Sequence, residues 1–478
     1  MTESDSTPPL WVRAADAIAV ACLVLTLFVF LFGGFVVHLG STIFRVHAPA
    51  RLLFIAAAFI AVRHSAHPSV PLHRRLRRGL QFSGQTSGVS IARTALASRI
   101  AVLVVGYFAV ITIGFDPKMV GVTVSPDAAT NLPARFDAGW YAGIALEGYS
   151  FQGRFDRQQN VAFFPAFPLL MRAAGYPLGA FGPGLPKDSR MARLLWAGVI
   201  ISLVAFAWAA IYLWRLARDT IGEAHASDAV ALFAAYPFAV FFSAPYTESL
   251  FLLGAVAAIY HFRRQEFVQA AAWGLLVGLT RPNGCFLSIV LACLLVQPLG
   301  PLRSRDITKS RNHQIIKSLV AASAPGLGML IYSTYVHHLT GAWFGWARLH
   351  EAWGRSYEGL APVARAYGWI TDEGLLHVVE GVPYDTLNSL GLIFALVMLW
   401  PVIRRLGVAY AAFVLVNVIP PMLAGGVLSM GRITATLFPL CFALAASISP
   451  RAVTPLITAF AIGQGLAAAL FFTWRPLF

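Results

Sequence analysis

Charge is scarce in this chain of 478 residues: Asp, Glu, Lys and Arg together make up 12% of it, about half the usual share of a soluble domain. That scarcity excludes a soluble globule. Acid is scarcer than base, with 21 Asp and Glu against 36 Lys and Arg, and the formal net charge is +15. The four cysteines, Cys22, Cys285, Cys293 and Cys441, lie inside apolar runs without metal-ligand spacing, so they read as small core residues and neither a disulfide framework nor a metal site is expected. No Asn-x-Ser/Thr sequon occurs, and Arg greatly outnumbers Lys, as fits a bacterial chain from a GC-rich genome. No Asp-x-Asp pair is present, and the Gly-rich turn Gly179 to Gly184 lacks the Lys and the strand-to-helix context of a phosphate loop. Nucleotide and metal cofactors are therefore not expected.

What is abundant is hydrocarbon. Hydrophobic residues make up 58% of the chain and the mean hydropathy is +0.69. Apolar runs of roughly 15 to 25 residues recur along the chain, which predicts an all-α polytopic membrane protein of about thirteen transmembrane helices, with outer loops carrying short interfacial helices. The excess of Arg sits in short loops between spans, where positive-inside bias and anionic membrane lipids account for it, so a nucleic-acid partner is not expected. Ala14 to Val37 reads as an uncleaved first span. A basic linker with Arg63, Arg74, Arg75, Arg77, Arg78 and Arg93 follows the second span and is placed in the cytoplasm. This frame predicts residues 1–98 as a two-helix extension with its linker and 99–478 as the main membrane domain. The N-terminus lies inside, the C-terminus outside, and a span runs from about Ile100 to Phe115. Residues 116–190 then form a first outer loop and 337–385 a later one. Between Glu266 and Gly300 the run TRPNG, Thr280 to Gly284, breaks the hydrophobic stretch into a hairpin of two short helices.

Asp137, Glu248, Arg281 and Arg432 are far apart in sequence, yet this topology puts all four at one depth on the outer side. Ionisable groups at that depth are costly and mark a site. A carboxylate there can take the proton of an attacking hydroxyl, and guanidinium groups can clamp a phosphate. With no nucleotide-binding element, an activated substrate best arrives within the bilayer, as a lipid-linked phosphate. Each group also has a plainer role: Asp137 as N-cap of a helix starting at Ala138, Glu248 as part of a cap, and Arg281 and Arg432 snorkelling to headgroups. Trp140, Tyr141 and Tyr149 fit either an aromatic belt or a sugar platform. His337, His338 and His350 read as solvated loop residues, Arg154, Asp156 and Arg157 as a solvated face, and the spacing of Gly274 and Gly278 as a hint of close helix packing.

RFDAGWYAGIALEGY followed by AFFPAFPLLMR resembles the first outer loop of the PIG-V family of GPI mannosyltransferases and its bacterial relatives. PYTESLFLL (Pro245 to Leu253), LTRPNG (Leu279 to Gly284), TGAWFGWARLHEAWGR (Thr340 to Arg355) and SMGRITATLFPL (Ser429 to Leu440) follow in family order. The family's Trp-Asp pair is here Phe136-Asp137, and its Arg-Ser-Asn is Arg281-Pro282-Asn283. The resemblance implies a GT-C type glycosyltransferase of the inner membrane, moving mannose with inversion from a polyprenyl-phosphate sugar donor to a glycan, glycolipid or protein hydroxyl on the extracytoplasmic face. Asp137 matches the position of the catalytic base. The candidate substrate-binding set is Arg135, Trp140, Tyr141, Tyr246, Glu248, Arg281, Asn283 and Arg432; of these Tyr246, Glu248, Arg281 and Arg432 match motif positions of the family, and we expect Arg281 and Arg432 on the lipid phosphate and Glu248 and Tyr246 orienting a sugar or an arginine. A secondary transporter or lipid flippase is the alternative for a chain of this size. It would show an internal repeat and midplane charges, whereas here no repeat is found and the polar motifs sit at the outer ends of spans. A scaffold subunit that kept the fold without activity is the third reading.

Overall fold

A computed structural model describes residues 9–32, 35–39, 42–46, 48–66, 88–119, 121–296 and 311–477. Arg74, Arg75, Arg77 and Arg78 of the basic linker lie outside the described residues. The chain divides into two compact units, Met1–Ser87 with Tyr176–Gly184, and Gly88–Gly175 with Leu185–Phe478. The boundary at residue 88 falls earlier than the one expected at 99.

The first unit holds α1 (Leu10–Phe32) and α2 (Pro49–Ala66) as an antiparallel-connected pair, joined by a short hairpin of β1 (Phe35–Leu39) and β2 (Thr42–Val46) with Phe35 opposite Val46. The hairpin departs from the all-α expectation; Val, Ile and Phe crowd this connection, and such residues favour extended backbone. Arg63 on α2 pairs with Asp16 on α1 at 3.0 Å, which ties the two helices.

The second unit begins with α3 (Gly88–Ile113), α4 (Ala138–Glu147), α5 (Ala166–Gly175), α6 (Lys187–Ile221), α7 (Glu223–Ala235), α8 (Glu248–Arg263), α9 (Phe267–Gly278) and α10 (Leu287–Val296). It continues with α11 (Arg311–Thr340), α12 (Gly345–Arg348), α13 (Ala361–Glu373), α14 (Leu375–Gly381), α15 (Pro383–Leu406), α16 (Val408–Gly425), α17 (Met430–Ala435), α18 (Phe438–Ala445) and α19 (Pro450–Phe472). α3, the span expected from about Ile100, starts at Gly88. Among the described residues six helices are long and apolar enough to cross a membrane, α3, α6, α11, α15, α16 and α19, or seven if α7 and the 3₁₀ turn Pro237–Ser243 form one bent span. The expected count of about thirteen is not confirmed among the described residues, where several apolar runs fold as shorter or broken helices. Pro237 and the 79° bend interrupt α7, and TRPNG separates α9 from α10 as expected. The 116–190 and 337–385 stretches do carry short helices, α4, α5, α12, α13 and α14.

Two devices make the broken helices tolerable in an apolar core, where unpaired backbone groups are expensive. At the bend after α7, the buried guanidinium of Arg99 donates to the carbonyls of Ala234 and Ala239. Gln464 Nε2 donates to the carbonyls of Ala234 and Tyr236 at 2.9 and 2.8 Å. At the α9–α10 break, Thr280 Oγ1 returns a hydrogen bond to Val277 O at 2.6 Å, and the Leu279 carbonyl accepts from Ala166 N–H at 3.0 Å. α8 runs through the centre, buried from Glu248 to Ile259 on every face, as a helix apolar all round must be.

The α9–α11 crossing rests on glycine. A Cβ at Gly278 would stand 2.0 Å from the Pro325 carbonyl oxygen, and one at Gly328 would stand 2.5 Å from the Leu275 carbonyl. Backbone meets backbone there, which only small residues permit. Gly278→Ala is expected to cost about 2–3 kcal/mol by forcing the two helices apart, read as a lower thermal unfolding midpoint in detergent. Gly465→Ala, at a helical position with open space around it, serves as the comparison and should leave the midpoint unchanged.

Candidate functional site

The site is built on a kinked turn. Phe136 adopts φ +43, a left-handed conformation costly for an aromatic residue. Its ring is held against Trp474 and Phe471, with centroids 4.6 and 5.6 Å away. On its N-terminal side the buried Arg135 donates Nε to Phe472 O at 2.6 Å and Nη1 to the carbonyls of Asn131 and Ala134 at 2.8 and 2.7 Å. This geometry makes Arg135 a strut of the turn. Tyr246 braces the same turn, its hydroxyl donating to Arg135 O and accepting from Asp137 N–H, both at 3.1 Å. Burial pushes the Tyr246 phenol well above its usual pKa, so the hydroxyl keeps the proton it donates.

The turn delivers Asp137 to an ionic cluster. Asp137 stands at the N-cap position of α4, yet its side chain makes no capping hydrogen bond. Its Oδ2 instead accepts from Arg432 Nη1 at 2.5 Å. Arg432 Nε pairs with Glu248, and Arg281 Nη1 lies 3.3 Å from Glu248 Oε1. Glu248 is fully buried, Arg432 is buried, and the Asp137 side chain keeps 22% of its exposure, so of the two carboxylates it is Asp137 that faces open space. The structure thus gathers Asp137, Tyr246, Glu248, Arg281 and Arg432. Two polar atoms of the cluster, Arg281 Nη1 and Glu248 Oε2, are buried without a hydrogen-bond partner, a state that points to a missing ligand with acceptor and donor groups.

Arg432 reaches the cluster because of how its own segment packs. Ser429 turns the chain with φ +60, and Gly431 presses on Phe238, where a Cβ would stand 2.1 Å from the ring. Gly431 N–H is held by Asn388 Oδ1 at 2.8 Å. The Arg432 guanidinium then lies over the Tyr246 ring, 4.5 Å from its centroid, a favourable placement for a cation.

The remaining expected residues divide. Trp140 stacks on Phe163 with centroids 5.7 Å apart and meets Trp353 edge-on at 5.9 Å; this aromatic corner stands one helical turn from Asp137. Tyr141 is buried against Phe163, Phe167 and Tyr246, and burial pushes its phenol up to about 12. Asn283 donates Nδ2 to Asn417 Oδ1 at 2.6 Å, so it fastens the TRPNG turn to α16. An apolar groove of about 360 Å³ between α3, α7 and α19, lined by Val102, Ala234 and Gln464 among others, shares no residue with the cluster.

Sequence reasoning passed over Trp353 and Arg355, which it placed only inside a loop motif. The juxtaposition Trp-Gly-Arg at 353–355 was the available signal. The loop is anchored by an apolar cluster of Val161, Phe164, Tyr332, Val336 and Leu349, with Trp346 Nε1 donating to Ser333 Oγ at 2.9 Å. Arg355 Nη2 donates to Leu428 O at 3.2 Å. Its pKa falls to about 10, chiefly through burial and then through neighbouring Arg432, with Asp137 opposing and Arg281 adding to the fall.

His350, in the same loop, has its pKa lowered to about 4 by burial and by Arg355, and its Nε2 is buried without a hydrogen-bond partner. The fold therefore holds it neutral, against about 6.5 in an unfolded chain. Its contribution is complete above pH 6.5 and is lost as pH falls toward 4, on the order of 2–3 kcal/mol in full. Hydrogen exchange across 345–355 should accelerate over that interval, and His350→Gln should flatten the dependence.

Together the fold and the cluster define a multi-pass helical membrane protein with a buried, ligand-seeking ionic site. Residues 123–339 carry the pattern of the mannosyltransferase family described as Mannosyltransferase (PIG-V), in agreement with the resemblance seen in the motifs. Over 193 residues the chain is 24% identical to "GPI mannosyltransferase 2" of Drosophila pseudoobscura pseudoobscura, covering 37% of this chain and 41% of that relative; the match thus spans about two-fifths of the relative's length. Asp137, Tyr246, Glu248, Arg281 and Asn283 fall inside the family segment, while Arg355 and Arg432 lie beyond it.

Proposed function

We propose that this chain is a membrane mannosyltransferase that moves a mannosyl group from polyprenyl-phosphate mannose to a hydroxyl of a glycolipid, polysaccharide or protein, with inversion, on the extracytoplasmic face of the inner membrane. The observation that carries the reading is the cluster itself: a partly exposed Asp137 carboxylate fixed by a guanidinium, beside a buried guanidinium nitrogen and a buried carboxylate oxygen that make no hydrogen bond.

In this reading the acceptor hydroxyl gives its proton to Asp137 as its oxygen attacks the anomeric carbon from the face opposite the phosphate. The bond from that carbon to the phosphate oxygen breaks, its electron pair stays on the phosphate, and polyprenyl phosphate departs. Arg281 Nη1 supplies a hydrogen bond to the charge that builds on the phosphate. Arg432 is engaged by both Asp137 and Glu248, so its work is to position the two carboxylates, and of the two arginines expected on the phosphate it is Arg281 that keeps that role. Glu248 Oε2 is left to accept from a sugar hydroxyl. Trp140, Phe163 and Trp353 offer an apolar wall against which a sugar ring can lie.

The test is transfer of label from radiolabelled polyprenyl-phosphate mannose by purified protein in lipid vesicles, supplied with the host's own lipids and glycans. Movement of label to an acceptor supports the reading. Translocation of the lipid with no transfer would sink it in favour of a carrier.

A further inference from the structure

A closed circuit of contacts surrounds Asp137, and one member of it has no assigned task. Trp140 lies on α4 three residues after Asp137 and meets Trp353. Two residues on, Arg355 leans on the segment that ends in Arg432: its guanidinium donates to Leu428 O, and its Cγ and Nη1 each pass 3.5 Å from where a Gly425 Cβ would be. Arg432 closes the circuit by pairing with Asp137. The loop 349–355 therefore reaches from Trp140 to the segment that leads to Arg432, with an aromatic ring at one end and a cation at the other.

The charges around the cluster do not balance. Asp137 and Glu248 are the carboxylates, and Arg432 and Arg281 already answer them. Arg355 is a third guanidinium in the same surroundings, and among the described residues it joins no ion pair within 4 Å; the one side-chain hydrogen bond found for it goes to a neutral carbonyl. A guanidinium has five N–H donors in a fork suited to phosphate oxygens, and a partly buried cation without a counter-charge is unfavourable until an anion arrives.

Resting on the mannosyltransferase reading, we propose that Arg355 is the phosphate anchor of the donor subsite, binding the phosphoryl oxygens that Arg281 does not reach and holding the prenyl phosphate after the sugar has left. Two consequences distinguish this role from a structural one. Loss of Arg355 weakens ligands that carry the phosphate and leaves the matching alcohol unaffected. The effect is larger for the product, a phosphate monoester that carries more negative charge than the donor diester, so the variant also releases product faster.

The experiment measures binding of radiolabelled farnesyl phosphate and of farnesol to the full chain in lipid nanodiscs. Arg355→Gln is expected to weaken farnesyl phosphate about 10- to 100-fold, the usual effect of removing a charge-assisted pair, with farnesol binding unchanged. If Arg355→Gln does not fold, Arg355→Lys decides the matter: it keeps the charge, loses the fork, and should weaken the phosphate by roughly 3- to 10-fold. Unaltered farnesyl phosphate binding in the variant, with wild-type binding intact, overturns the inference and leaves the mannosyltransferase reading standing. So does a variant that loses only its retention of phosphatidylglycerol, for then Arg355 anchors a bilayer headgroup. No binding of farnesyl phosphate to the wild type removes the inference and the donor reading together, and the label-transfer assay then tells whether any transferase activity remains.

Discussion

Asp137→Asn is expected to lower mannosyl transfer by about 10² to 10⁴ while leaving donor binding in place. The amide keeps the size and one hydrogen-bond acceptor for Arg432, so the turn at Phe136 and the packing of α4 should persist. What it loses is the ability to take a proton from the acceptor hydroxyl. The variant also separates the two roles open to Asp137 from sequence. As a helix cap, Asn would replace Asp with little loss, because the two cap about equally well. The carboxylate makes no capping bond and instead faces Arg432 and open space. Equal transfer by wild type and variant would remove Asp137 from the chemistry and direct the search for a base to Glu248 or to the loop that carries His350.

Glu248→Gln should act chiefly on stability. The Glu248 carboxylate is fully buried, Arg432 donates to it, and Arg281 lies within ion-pair distance. Neutralising it leaves Arg281 without a carboxylate in a buried setting, and removing one partner of such an arrangement typically costs about 3–5 kcal/mol. A fall in the thermal unfolding midpoint in detergent is expected, with transfer reduced in parallel because Arg432 would be free to turn toward Asp137 alone. A midpoint that does not move would mean that water reaches the cluster and screens it, which its burial argues against. Replacing both Glu248 and Arg281 with apolar residues of similar volume should recover part of the stability without recovering transfer, since the pair would then leave no orphan charge.

These two expectations meet at residues whose partners are remote in the chain. Arg432 is 295 positions from Asp137 and 184 from Glu248, and Tyr246 is 109 from the backbone group it accepts from. The resemblance picked out each of these side chains as part of one site, and the fold pairs Arg432 with both carboxylates, a contact that the motifs alone do not show. Arg135 and Asn283 were marked by their neighbours in the motifs, and packing turned both toward structural partners, the Phe472 carbonyl and the Asn417 amide.

By itself the sequence determined the membrane class, the helical architecture, the break at TRPNG and the identity of the four ionic residues at the centre. These follow from properties that are local: hydropathy over a window, the inability of Pro and Gly to continue a helix, and the cost of a charge among apolar neighbours. Only the tertiary structure decided how many apolar runs become full crossings, for that depends on whether a bend such as the one after α7 finds an Arg99 and a Gln464 to satisfy its carbonyls. It also decided which guanidinium meets which carboxylate, and that Trp353 meets Trp140 while Arg355 reaches Leu428. A charged side chain pairs with whatever the fold brings within a few ångströms, and that proximity is set by packing across hundreds of residues, beyond the reach of any local pattern.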